Sequence, residues 1–168
     1  HPVIYISDER EKLLDTGGGI AKALPLLGLD PFVIHNSDTA WIENKEKWIT
    51  ALINAWDSNR MDALLILAER EKSIGYEGDG DFFIEETGVL RRKDENSSAP
   101  YVFTGVSIAH PRLFLNAPLV PFSLNILWNQ AMKDRRLYGI SVEGIWMHLG
   151  TPDALKTAEN NLKRHQSF

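Results

Sequence analysis

Short apolar runs of β-type composition alternate along this chain with stretches of helical periodicity, and that alternation restricts it to a layered α/β fold. Pro31 to His35 and Ala63 to Leu67 are brief and nearly continuously apolar, as strands buried on both faces are. Tyr101 to Ile108 reads as a longer strand interrupted by Gly105, where an interior glycine marks a bulge or the close approach of a ligand. Val3 to Ile6 opens the chain as a further strand-like run. Phe82 to Glu85 and Val89 to Arg92 form a hairpin turning at Thr87-Gly88, and Leu137 to Val142 and Ile145 to Gly150 supply later strands. Helical composition covers Gly19 to Leu27, with Gly28 as its stop and Pro25 bending or shortening it. In Lys45 to Trp56 the residues Trp48, Ile49, Leu52, Ile53 and Trp56 draw one core-facing stripe. Ser123 is the N-cap of a helix ending near Arg136, and Thr151-Pro152-Asp153 starts another that runs to about Lys163. With 168 residues, 43% of them hydrophobic, the chain is long enough to bury a core as one domain, residues 1–168, and it shows no repeat or linker.

Composition also removes several classes of function. A net charge of -5 argues against a nucleic-acid surface, because the only basic clusters, Arg91 to Lys93 and Lys133 to Arg136, are short and interrupted or flanked by acids. The absence of cysteine excludes disulfides, thiolate metal sites and a cysteine nucleophile, and suits the cytoplasm. No apolar run approaches the length of a membrane span.

The candidate chemistry begins at Asp15-Thr16-Gly17-Gly18-Gly19. Three adjacent glycines let a backbone approach a flat ligand, and the helix after them presents unpaired N–H groups at its first turn. Asp38 follows the strand that ends at His35, and the C-terminal ends of strands are where open α/β sheets hold their ligands. Together these features suggest a nucleotide site with a metal carboxylate. Bland readings compete: the glycines as a flexible loop, Asp38 as a turn residue, Gly105 as a bulge, and His148 as a hydrogen-bonded structural histidine. His35, inside an apolar strand, reads as a satisfied core histidine, and Arg91 to Lys93 as a solvated edge. The acidic segment Glu77 to Asp81 lacks the spacing of a 12-residue Ca²⁺ loop. A dinucleotide-dependent oxidoreductase is excluded, since Gly17-Gly18-Gly19 lacks the G-x-G-x-x-G spacing.

Asp15 to Pro25, the strand leading to Asp38, Gly80-Asp81-Phe82, Phe103 to Ser107 and Trp146 to Thr151 occur in the order in which sugar-1-phosphate nucleotidyltransferases use the corresponding segments. Over nearly its whole length the chain resembles that family, with the nearest likeness to bacterial members acting on N-acetylmuramate 1-phosphate, often labelled mannose-1-phosphate guanylyltransferases. The resemblance implies a three-layer α/β/α, Rossmann-like nucleotide-diphospho-sugar transferase fold with a mixed sheet. It implies transfer of a nucleoside monophosphate from a nucleoside triphosphate, UTP in the nearest likeness, to a sugar 1-phosphate, with Mg²⁺ as cofactor and no nucleic-acid or membrane partner. Thr16, Gly17 and Gly18 match the segment lining the nucleobase. Asp38 matches the catalytic carboxylate that holds the metal. Gly80, Thr104 and Gly105 match positions that meet the sugar, and Asn125 is a further sugar candidate.

In that reaction the sugar-phosphate oxygen attacks the α-phosphorus in line and pyrophosphate leaves, so positioning and charge neutralisation carry the catalysis. Two features depart from the family pattern. The N-terminal Gly-rich loop with its Arg, and the Lys on the next element, do not occur in these residues, so the expectation is a chain lacking its N-terminal βα units and inactive without them. His148 stands where many relatives carry a second metal Asp, and imidazole is a poorer Mg²⁺ ligand than carboxylate. Alternatives left open by sequence are mannose 1-phosphate with GTP, glucose 1-phosphate with UTP, and a noncatalytic module that binds a nucleotide sugar.

Overall fold

The computed structural model describes residues 2–118 and 120–165, the last without its side chain. The described elements follow the order α1 (Asp15–Leu27), β1 (Phe32–His35), β2 (Thr39–Glu43), α2 (Trp48–Ala55), β3 (Ala63–Glu69), β4 (Phe82–Ile84), β5 (Leu90–Arg92), β6 (Tyr101–Ala109), α3 (Asn125–Lys133), β7 (Leu137–Ser141), β8 (Gly144–His148) and α4 (Pro152–His165). Residues 63–68 of β3 are all buried, as a continuous apolar run in a central strand requires. Their side chains alternate between two clusters. Leu65 and Leu67 meet Ile20 and Leu24 of α1 and Leu127, Trp128 and Ala131 of α3. Leu64 and Ile66 meet Trp48 and Leu52 of α2. The sheet therefore lies between helices on both faces, the expected three-layer α/β/α arrangement.

That sheet has six strands in the order β5-β4-β6-β3-β7, with β1 added to β6. The β3–β7 pair is parallel and the β1–β6, β3–β6 and β4–β5 pairs are antiparallel, so the sheet is mixed. A separate antiparallel pair joins β2 to β8 in the register Thr39↔His148 to Glu43↔Gly144. The candidate site depends on β6. Along one flank β6 pairs with β3, apart from a break in register between Leu65 and Leu67 that leaves extra residues around Gly105. Along the other flank β1 takes Val106 to Ala109, and β4 meets β6 at Tyr101. A notch between β1 and β4 therefore opens beside Phe103 to Gly105, and β1 runs toward it. Two strands that diverge from one flank of a central strand make the kind of crevice in which α/β sheets bind ligands.

Several sequence expectations are corrected. Val3 to Ile6 is not a strand: its side chains are 71–83% exposed, and no strand pairs with it among the described residues. A β-type composition forms a strand only where a neighbouring edge takes its hydrogen bonds. Helix α1 begins at Asp15 rather than Gly19, so the glycines lie inside it, and Pro25 does not shorten it; its end at Leu27 with Gly28, at φ +85°, as the stop is as expected. Among the described residues strand β1 pairs with β6 alone, and with Val33 43% exposed and His35 exposed this strand is not buried on both faces and His35 is not a core histidine. Strand β2 was not anticipated.

Helix α2 starts at Trp48 rather than Lys45, and the Glu43 carboxylate accepts the N–H of that first residue at 2.9 Å. That bond, aided by Trp41 and Lys47, holds the Glu43 carboxyl below its ordinary pKa. A lowered folded-state pKa stabilises above the unfolded value, and the contribution is lost as pH falls through the folded value. Glu43→Gln is accordingly expected to cost about 1 kcal/mol near neutral pH, the difference between a charge-assisted and a neutral hydrogen bond, and progressively less below the ordinary glutamate range. Urea unfolding of the two proteins at several pH values reads this difference; an equal gap at all pH values contradicts the cap.

Candidate functional site

Asp38 leaves the end of β1 at the mouth of the notch. Asn36, two residues before it, donates its N–H to the Gly105 carbonyl at 2.9 Å, which ties the end of β1 to the bulge in β6. Gly105 sits at φ +87°, and a Cβ there meets Asn36 and Thr39 at 3.0 Å, so close approach of the two strands requires glycine. The β2–β8 register then brings His148 beside Asp38, and the Leu149 N–H donates to the Asp38 carbonyl at 2.8 Å. As a result His148 Nε2 lies 3.6 Å from Asp38 Oδ2, with the two side chains 38% and 53% exposed. The carboxylate and imidazole thus share one solvent-facing space.

A hard dication takes oxygen ligands, and Mg²⁺ characteristically takes one or two carboxylates with water and phosphate completing its octahedron. The half-exposed Asp38 carboxylate fits that demand. The His148 nitrogen is a softer donor and fits it less well. No cluster of three or more His, Cys, Asp or Glu side chains able to hold a metal occurs among the described residues, so Asp38 would need ligands from a bound phosphate and water.

On the far side of the notch Gly80 precedes β4. It has φ +78° and lies directly against the Ala99 carbonyl, and its N–H donates to the Tyr76 hydroxyl at 3.1 Å. Burial, with Asp81 nearby, raises the Tyr76 pKa, so the hydroxyl stays neutral at physiological pH. Asp81 secures the unpaired stretch of β6: its Oδ2 accepts the Phe103 N–H at 2.8 Å, while its own N–H donates to the Tyr101 carbonyl at 2.7 Å. Thr104 is fully buried. Its hydroxyl donates to the Ile66 carbonyl and its carbonyl accepts Trp146 Nε1, both at 2.9 Å, so this side chain holds β6 to β3 and turns away from the notch.

The triple glycine has a packing role that sequence alone did not reveal. The Gly17 and Gly18 N–H groups donate to the Phe122 carbonyl at 3.0 and 3.2 Å, and a Cβ on Gly17 runs into the Phe122 ring. Those two donors are therefore occupied within the protein. Thr16 remains exposed, its Oγ1 accepting the Leu124 N–H at 3.0 Å, which leaves its O–H to donate. The same 122–125 segment presents Asn125 at the start of α3. Its Oδ1 accepts from Arg92 Nη2 at 2.9 Å. Arg92 is half-buried rather than part of a solvated edge, because β5 pairs it opposite Phe82, whose ring centroid lies 4.9 Å from the guanidinium carbon.

The structure thus gathers Asp38, His148 and Gly105 on one side of the notch and places Gly80 across it. Thr16, Gly17, Gly18 and Asn125 come together along the 122–125 segment. Asp81, Tyr76 and Arg92 were missed as contributors. A signal for Asp81 exists in its place between Gly80 and Phe82, whereas the position of Arg92 depends on strand pairing.

The chain is 44% identical over 161 residues to N-acetylmuramate alpha-1-phosphate uridylyltransferase of Caulobacter vibrioides, covering 96% of this chain and 66% of that protein. It is 32% identical over 160 residues to the protein of the same name from Neisseria meningitidis serogroup B, covering 93% and 65%. It therefore spans just under two thirds of the length of these curated relatives. Its fold is that of a UDP-glucose pyrophosphorylase solved with UDP-glucose, with a TM-score of 0.68 at 18% identity over 92% of this chain and 64% of that one. No family model matches the chain.

Proposed function

The chain belongs to the sugar-1-phosphate nucleotidyltransferase family, and from that premise we propose that its full-length protein transfers uridylyl from UTP to N-acetylmuramate 1-phosphate in the cytoplasm. The observation that carries this reading is the Asp38 carboxylate, half-exposed at the end of β1 and 3.6 Å from His148, at the mouth of a notch. The sugar phosphate supplies its own anionic oxygen, so no general base is needed. That oxygen bonds to the α-phosphorus, the α–β bridging P–O bond breaks, and pyrophosphate leaves. Mg²⁺, when bound, supplies positive charge against the α-phosphate.

The protein's part is positioning. Asp38 would hold the metal, and His148 would orient the Asp38 carboxylate or reach a phosphate through water. The Thr16 hydroxyl meets the base edge, where Gly17 and Gly18 keep the backbone close to the 122–125 segment. Gly80, Gly105 and Asn125 line the sugar side, with Thr104 supporting the bulge from behind. The resemblance assigns the grip on the triphosphate to a Gly-rich loop that these 168 residues do not contain, so the activity is proposed for the full-length protein.

Pyrophosphate release by the full-length protein, measured across a grid of sugar 1-phosphates and nucleoside triphosphates with Mg²⁺, tests the reading. Highest kcat/KM is expected for UTP with N-acetylmuramate 1-phosphate. Preference for GTP with mannose 1-phosphate overturns the substrate assignment, and no turnover with any pair overturns the activity. In the same assay His148→Asp is expected to lower the Mg²⁺ concentration for half-maximal rate several-fold, since a second carboxylate suits the metal better than imidazole. An unchanged Mg²⁺ dependence makes His148 a scaffold residue.

A further inference from the structure

Arg92 is a half-buried arginine with no ion-pair partner among the described residues, its charge supported only through space by Asp81. Arg10, Arg112, Arg135 and Arg136 each lie within 4 Å of an Asp or Glu oxygen. Arg92 has no such partner among the described residues, although it is half-buried. Its Nε is buried and makes no hydrogen bond. Nη2 meets the neutral carbonyl oxygen of Asn125, whose amide is steadied by Ser123 Oγ at 3.3 Å. The Phe82 ring lies against the guanidinium, and Oδ2 of the nearby Asp81 carboxylate accepts the Phe103 N–H. Burial works against the charge, while the field of Asp81 supports it.

A half-buried guanidinium without a direct ion pair is an unfavourable arrangement in a folded protein, and a carboxylate satisfies it best because two oxygens match the planar N–H fork. The location narrows the occupant. Arg92 stands one strand beyond the notch, across β4 from Tyr101, and it touches Asn125, which the proposed function places beside the sugar. N-acetylmuramate differs from N-acetylglucosamine by a lactyl ether that ends in a carboxylate.

We propose that Arg92, aimed by Asn125 and backed by the Phe82 ring, receives the carboxylate of an acidic sugar 1-phosphate and so selects it over the neutral N-acetylhexosamine phosphate. This inference rests on the function proposed above and identifies which part of the sugar the site reads. The uncharged Asn125 carbonyl fits that role, since an Asp in its place would neutralise Arg92 before the substrate arrived.

The test uses the full-length protein with UTP and Mg²⁺, comparing N-acetylmuramate 1-phosphate with N-acetylglucosamine 1-phosphate. Arg92→Met is expected to reduce the acidic-to-neutral ratio of kcat/KM by about 10- to 100-fold, the worth of a charge-assisted hydrogen bond, mainly through KM for the acidic sugar. Arg92→Lys, which keeps the charge and loses the fork, is expected to fall between. Circular dichroism melting of each variant confirms that it is folded. If both substrates lose activity together, Arg92 meets the phosphate common to both or supports the fold, and the proposal fails. If the ratio does not move, the carboxylate lies elsewhere, and the proposal also fails. The unsubstituted protein is the separate control on the reaction: without uridylyl transfer to either sugar, the function fails before Arg92 is tested. Should Arg92→Met fail to fold, the ratio measured with Arg92→Lys decides alone, and an unaltered ratio overturns the proposal.

Discussion

Asp38→Ala in the full-length protein is expected to lower Mg²⁺-dependent pyrophosphate release by about 10²–10³-fold or more, the scale seen when a principal electrostatic group is removed from a charged transition state. The fold should survive, because Asp38 contributes its backbone carbonyl, not its carboxylate, to the bond with the Leu149 N–H that fastens β1 to the β2–β8 pair. Its side chain is 53% exposed, so alanine leaves neither a cavity nor a buried orphan. Thermal unfolding should therefore shift little while turnover collapses. Asp38→Asn, which preserves shape and removes charge, should behave like alanine. Turnover retained in both variants would remove Asp38 from the metal site.

The second large effect concerns stability. Gly80→Ala is expected to destabilise the protein by about 2–4 kcal/mol, the sum of a left-handed backbone penalty and a steric conflict the structure cannot easily relieve. Gly80 has φ +78°, and the group its Cβ would meet is the backbone carbonyl of Ala99, which is held near the Asp79–Asp81 segment by the Ala99 N–H bond to the Asp79 carbonyl at 2.7 Å. Relief would pull apart the junction of β4 with β6, where Asp81 secures the stretch of β6 facing the notch. Urea unfolding monitored by tryptophan fluorescence reads the loss. A midpoint within error of the unsubstituted protein would show that this loop adapts, and would free Gly80 from its scaffold role.

The arrangement of layers was legible because continuous apolar runs such as Ala63 to Leu67 have few alternatives to a central strand, and the structure buries every residue from 63 to 68. Gly105 was legible for a related reason: an interior glycine in a strand signals a bulge, and the bulge exists. What failed to show were properties that depend on partners distant in sequence. Among the described residues Val3 to Ile6 has the composition of a strand but no paired neighbour, and His35 lies in an apolar strand that has one paired neighbour and is nevertheless exposed. The glycines at 17 to 19 concealed a helix, since the packing of Phe122 against Gly17 outweighs glycine's low helix propensity.

At the site, Asp38 stood out by following a strand, and the resemblance made His148 a second candidate. Their meeting is a product of the β2–β8 register, and Thr39 to Glu43, with its Thr, Trp and Ile, carries a strand signal that is short and follows directly on the turn at Asp38. Arg92 was hidden for a different reason. Between Arg91 and Lys93 it resembles one member of a solvated basic run, whereas strand pairing directs it against Phe82 and Asn125.

The most direct measurement of the central claim is a crystal structure of the full-length protein with Mg²⁺ and the uridine diphosphate derivative of N-acetylmuramate. The diphosphate and metal are expected at Asp38, the sugar in the notch between β1 and β4 with Gly105 and Gly80 against it, and the base beside Thr16. A product bound elsewhere, for example in the groove lined by Glu43, Glu69 and Trp146, with no metal on Asp38, would contradict it.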